Sequence, residues 1–316
     1  MLARVANNLF WMGRYIERSE HVARFMHVNY FSSLDAPNEN SQNRQFVLRS
    51  MQFMIGDPVT DDASELQEEE VLYNLGLNPE IPYSIISNVK QARENANSAR
   101  DLISTELYEA INKFYHFVLN YHVDTYVKRG LYDFCVNITE MTTILRGKIR
   151  GTLLHDEVYA IIMMGMNLER ATQIIRILNT KYNDAVLAAG ANESDEMDYS
   201  FEWVTLLKCA ESYDMMRRFY KKSPNSSSTL EFLILNPDCP RSVINSLNQI
   251  TKHINVVDRR KYPAKDSTAF LVEKVRADLK FKYVEEINED VKGFIENKLN
   301  DLVHIAQKME KEFFNY

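Results

Sequence analysis

Arginine and glutamate recur at helical spacing in three stretches of this chain, and together they can grip anions and handle protons. At 100° per residue, Arg14, Glu17, Arg18, Glu20, His21 and Arg24 share an arc of about 160° on one helix. Glu169, Arg170 and Arg176 recur in a second helix. In a third stretch Arg93, Asn97, Arg100 and Ser104 follow i, i+4, i+7, i+11, one face of a helix expected over 91–112. A guanidinium fork binds a carboxylate or phosphate bidentately. A buried glutamate whose pKa is raised can serve as a general acid or base.

The elements that must position these groups are helices. Apolar residues repeat at three and four, and Leu, Glu, Lys, Arg, Met and Ala dominate. With 9 Gly and 8 Pro in 316 residues, a loop-rich or all-β chain is disfavoured. The fold class expected is all-α, a multi-helix bundle. Breaks are expected at 35–43, 57–64, 78–82, 188–198, 223–228, 236–240 and 262–266. The acidic stretches 61–70 and 193–202 read as solvated surface.

An internal duplication organises the chain. GRYIERSEHVARFMHVNY, starting at Gly13, aligns with GMNLERATQIIRILNTKY, starting at Gly165, at an offset of 152. Gly13/Gly165, Glu17/Glu169, Arg18/Arg170, Arg24/Arg176 and Tyr30/Tyr182 are identical. LGLNPEIPYSII from Leu75 aligns with LILNPDCPRSVI from Leu233 at an offset of 158. Each of these segments predicts a helix stop, a proline turn and a serine N-cap. Two pseudo-repeated halves, about 1–150 and 151–316, are therefore expected to pack as one domain around a shared core.

The second copy leaves almost no polar side, so Glu169, Arg170 and Arg176 are expected on a largely buried helix. Glu169 and Arg176 are about 10 Å apart along it, too far to pair directly. A buried charge left bare costs several kcal/mol, so the partners must come from other helices.

Other chemistry is not signalled. The chain has no GxG, no GxxxxGK[ST], no ExxH pair and no GxSxG. Glu17 with His21 is read as a helix pair rather than a metal site, and no cofactor or metal is expected. The net charge of -7 disfavours nucleic acid. No stretch reaches the roughly 20 apolar residues of a membrane span. Cys135, Cys209 and Cys239 show no zinc spacing, in keeping with a reduced cytoplasmic setting.

RVANNLFWMGRYIERSEHVAR, ARENANSARDLIS, the GMNLERA repeat and PRSVI together resemble the bacterial alpha-E family, over nearly the whole chain. That resemblance implies an all-helical domain. It also implies two partners, a circularly permuted ATP-grasp ligase and a transglutaminase-like peptidase, and hence amide-bond formation or trimming. The family's charged positions match Arg14, Glu17, Arg18, Glu20, Arg24, Arg93, Glu94, Asn95, Arg100, Asp101, Glu169, Arg170 and Arg241, while Tyr108 stands near a position where the family often has Trp.

The leading expectation is an accessory protein that holds an anionic or peptide group for an ATP-grasp amide ligase. Arg93 and Arg100 would grip the anion, with Glu17 and Glu169 orienting them or binding an amine. Two alternatives stand beside it: an enzyme using Glu17 or Glu169 as acid or base, and a scaffold whose charges only specify packing.

Overall fold

The computed structural model describes residues 2–32, 44–56, 65–191, 196–258, 260 and 263–314, with side chains throughout except at 185–191 and 196–201. In chain order the helices are α1 (Ala3–Ser32), α2 (Arg44–Ile55), α3 (Glu68–Gly76), α4 (Ile85–Ser98) and α5 (Thr105–Leu119), then the single turn α6 (Val123–Thr125) and α7 (Leu131–Thr152). They continue as α8 (Glu157–Ala191), α9 (Glu196–Cys209), α10 (Tyr213–Tyr220), α11 (Ser226–Leu230), α12 (Val243–Val257), α13 (Thr268–Lys280), α14 (Val284–Glu289) and α15 (Val291–Met309). No strand occurs among the described residues, so the chain is all-α.

The axis of the molecule is the pair α1 and α8, about 45 Å and about 50 Å long at 1.5 Å per residue. The two run parallel: Val5 and Val158 line one cavity at their N-terminal ends. Further along, the Lys181 ammonium lies 5.7 Å from the Phe25 ring centroid. They touch most closely at two glycines. A Cβ on Gly13 would meet the Ile162 carbonyl oxygen at 2.5 Å, and one on Gly165 would meet the Phe10 carbonyl oxygen at 2.1 Å. Both contacts join the same two sequence positions when 152 is added to the α1 numbers. Any side chain larger than hydrogen at either glycine would push apart two backbones that the surrounding packing holds together.

Around that axis α4 and α7 lie against α1, and α12 and α15 against α8. Both helices of the axis are buried nearly all round over their described side chains. In α8 this follows from a run that is apolar on every face. In α1 it means that the charged arc of the sequence faces protein rather than water. The buried apolar side chains form one continuous cluster reaching from Ala6 to Phe314.

Both proline turns fold as expected. The Asn78 and Asn236 side chains accept from the backbone N–H groups of Glu80 at 3.0 Å and Asp238 at 2.8 Å. The Ser84 and Ser242 hydroxyls then cap α4 and α12 by accepting from Ser87 and Asn245. Asp156 opens α8 by accepting from the Val158 N–H at 2.9 Å.

Two expectations are corrected. Residues 91–112 are not one helix: α4 ends at Ser98, Arg100–Leu102 form a 3-10 turn, Ile103 is extended, and Ser104 caps α5 by accepting from the Leu107 N–H. A serine that can satisfy an orphan N–H competes with helix continuation, and here it starts a new helix. The acidic stretch 193–202 is not wholly solvated either, since Glu202 is buried beside Lys181 at 3.4 Å. The expected breaks at 35–43 and 57–64 lie outside the described residues, as do 192–195 of the break at 188–198; α8 itself continues to Ala191.

Candidate functional site

The chain contains two Glu-Arg dipeptides, Glu17-Arg18 in α1 and Glu169-Arg170 in α8. Because the helices are parallel and nearly touch at the glycines one turn earlier, the dipeptides face each other and exchange partners. Arg170 closes on both oxygens of Glu17, at 2.7 and 3.0 Å. Arg18 closes on both oxygens of Glu169, at 2.6 and 2.9 Å. Fork-on-fork geometry of this kind is the strongest form of the guanidinium–carboxylate bond.

Further side chains saturate each carboxylate. Glu169 also accepts from Arg14 Nε at 2.8 Å and, one helical turn on, from Gln173 at 2.8 Å. Glu17 is approached by Arg241 at 3.4 Å, by Arg146 at 3.7 Å and, one turn on, by His21 Nε2 at 3.4 Å. Glu20 accepts from Arg24 and Arg146 and from Arg241 at 3.1 Å. Arg14 is held from its other side by the Trp11 ring, 4.5 Å from the guanidinium carbon.

The electrostatics follow from this packing. Glu17, Glu20 and Glu169 have no exposed surface, which on its own would push their pKa values up. The arginines overcome it: Arg170, aided by His21 and Arg241, holds Glu17 well below the ordinary range. Arg18 and Arg14 hold Glu169 low, and Arg241, Arg24 and Arg146 lower Glu20 to about 2. Burial lowers the pKa of His21 despite its acidic neighbour. All three carboxylates are therefore charged at neutral pH.

The cluster reaches the surface at Glu211. This residue sits at φ 53°, the position after the C-cap of α9. There its own N–H bonds the Lys208 carbonyl at 3.0 Å and the Ser212 N–H bonds the Leu207 carbonyl at 2.8 Å. That pair of bonds closes a helix with a left-handed residue, a place that usually belongs to glycine. The Glu211 side chain is 54% exposed, and its Oε2 accepts from Arg24 at 2.6 Å and also from Arg241. Arg24 and Arg241 themselves are only 10% and 9% exposed.

The remaining expected site residues lie apart from this cluster. Arg93 donates to Asn112 at 2.8 Å and lies 4.7 Å from the Tyr115 ring centroid, while Arg100 covers Tyr108 at 4.5 Å. The Tyr108 hydroxyl in turn donates to Asn97 at 2.6 Å. Both arginines thus tie α4 and its following turn to α5, and neither is aimed at Glu17 or Glu169. Glu94 and Asp101 are exposed and Asn95 is half-buried. Arg176 lies near Glu169 but bonds only the Ile55 carbonyl, at 3.5 Å, among the described residues, and burial lowers its pKa.

Two members of the cluster escaped the sequence reading, Arg146 and Glu211. Arg146 lies in an ordinary amphipathic helix and Glu211 in the three-residue junction between α9 and α10, so neither spacing nor repetition marks them.

The chain is similar to part of longer mycobacterial proteins. It is 21% identical over 306 residues to an uncharacterized protein of Mycobacterium bovis, and equally to two of Mycobacterium tuberculosis. The alignment covers 90% of this chain and 33% of each relative, so the chain spans about a third of their length. No solved structure matches it. Residues 1–314 match the family called Alpha-E, described as a predicted alpha-helical domain with a conserved ER motif, and the chain belongs to that family.

Proposed function

We propose that this protein is an accessory, substrate-holding partner of an ATP-grasp amide ligase, taking an anionic or peptide group at the arginine end of the buried ion cluster. One observation carries the reading: among the described residues, six arginines (14, 18, 24, 146, 170 and 241) share four glutamates (17, 20, 169 and 211). A mostly buried cluster with more guanidinium than carboxylate is completed by an anion. The inner pairs key the helices together, and Arg24 with Arg241 are the arginines that meet solvent through a half-exposed partner.

The greater length of the mycobacterial relatives supports a unit that works beside another. A ligase partner and a cytoplasmic setting accord with the family resemblance, and the transglutaminase-like peptidase is a second candidate partner. No helix among the described residues is long and apolar enough to cross a membrane. We also propose that the two motif-bearing stretches descend from one ancestral copy, since the glycine contacts and the Glu-Arg exchange repeat at the offset of 152.

The alternative of an enzyme using Glu17 or Glu169 as general acid finds less support, because arginines keep both carboxyls deprotonated and no water-accessible surface reaches them. The test is affinity co-purification with an ATP-grasp ligase from the same bacterium, followed by assay of amide product with the native chain and with Arg24→Gln. The reading expects a complex and a loss of product with the variant. Absence of a complex, or full product formation with Arg24→Gln, overturns it.

A further inference from the structure

Glu211 is an odd residue for its place. The left-handed closure of α9 favours glycine, yet it carries a glutamate that leaves the helix end and lays one oxygen between Arg24 of α1 and Arg241 in the turn before α12. Arg24 and Arg241 are already neutralised from the inside by Glu20, and Arg241 also faces Glu17. Glu211 therefore covers their outward N–H groups. It is the one glutamate of the cluster with substantial exposure, at 54% against none for Glu17, Glu20 and Glu169.

Arg241 and Arg24 hold the Glu211 pKa below its ordinary value against the opposing effect of burial, but its half-exposed carboxylate can exchange them for water at less cost than the fully buried Glu17 or Glu20. Two rigid, nearly buried guanidiniums, by contrast, have no solvent to replace a lost partner. The pair thus favours any carboxylate, and Glu211 is a tethered one that can leave into water. Cys239, two residues before Arg241 and 3.8 Å from the hydroxyl of Ser212 next to Glu211, lines a cavity of about 450 Å³ with Met215, Phe219 and Phe232 and with the polar Arg218, Asn236 and Asp238. The Met215, Phe219 and Phe232 side of that wall suits an apolar group attached to the incoming carboxylate.

We propose that Glu211 is a built-in plug, and that Arg24 and Arg241 form a binding site for the carboxylate of a ligand with an apolar neighbour, such as the C-terminus of a peptide ending in an apolar residue. This rests on the anion-holding reading above and names its ligand class and its gate. No bond is made or broken: one carboxylate replaces another on the same two guanidiniums, and Glu211 swings into water.

The test is calorimetric titration of the isolated full chain with N-acetyl-leucine, using N-acetyl-leucinamide as the probe lacking the charge. Glu211→Gly removes the competing carboxylate and suits the backbone at φ 53°, and Glu211→Gln removes the charge while keeping the side chain. The expected result is binding of N-acetyl-leucine at least tenfold tighter to Glu211→Gly than to the native chain, a smaller gain with Glu211→Gln, and no binding of the amide. Equal affinities in native and variant chains, equal binding of acid and amide, or no binding to any of the three proteins overturns the plug. The titration needs no ligase, so a failed complex leaves this result standing, and a failed titration leaves the complex standing.

Discussion

Gly165 lies so close to Phe10 that a single added carbon would sit 2.1 Å from the Phe10 carbonyl oxygen. The obstructing atom is backbone and cannot rotate away. Gly165→Ala is therefore expected to destabilise by about 3 kcal/mol or more, at the upper end of overpacking costs. Gly147, in α7 and with nothing within 4 Å of an added Cβ, provides the opposite case. Gly147→Ala should stabilise by about 1 kcal/mol through helix propensity. Urea unfolding of both variants checks the pair, and two changes of the same sign would contradict the close helix approach.

Glu169→Gln leaves Arg14 and Arg18 facing a neutral amide in a site closed to water. Removing one partner from a buried ion pair typically costs about 3–5 kcal/mol. The same loss is expected for Glu17→Gln, measured by denaturant midpoint. A loss under about 1 kcal/mol for both would mean that the interior tolerates free guanidinium.

Arg93→Ala and Arg100→Ala should each cost only about 1 kcal/mol, the worth of a partly exposed arginine lying on a tyrosine ring. They should also leave ligand binding at Arg24 and Arg241 unchanged. Loss of binding in either variant would move the site to the α4–α5 face.

Acid should destabilise the protein in a defined window. Folding holds the Glu20 pKa at about 2 against an ordinary 4.5, so its contribution is complete above about pH 4.5 and is lost as pH falls towards 2. That single shift is worth on the order of 3 kcal/mol. Glu17 and Glu169 are shifted in the same direction. His21 is held neutral below its ordinary 6.5, so a further loss begins under that pH as the unfolded form takes up a proton. Urea midpoints at pH 7, 5 and 3 should fall in that order, and a flat series would rule out the ion cluster as a source of stability.

Much of this architecture was legible in the residues. Helical periodicity and scarce glycine and proline gave the fold class, and Ser84 and Ser242 announced their caps through the proline turns before them. The inward facing of Glu17 was legible only by comparison with α8, where apolar residues around Glu169 left no wet side. The pairing of Arg18 with Glu169 and Arg170 with Glu17 was not, because it depends on the parallel approach at the glycines. Arg93 and Arg100 do not share the face that i, i+7 spacing implies, because that spacing holds only along an unbroken helix and α4 ends at Ser98, between them. Arg146 and Glu211 join the site through tertiary packing alone.

The reach of the Glu17 contacts along the chain bears on how the protein can be made. Glu17 and Glu20 are translated well over a hundred residues before Arg146, Arg170 and Arg241. Helix α1 cannot settle into a dry environment until the chain has been synthesised through Arg241. Native docking thus waits on partners far along the chain, with the slow kinetics that distant contacts impose. Until then, water has to solvate the carboxylates that the finished interior hands to arginine.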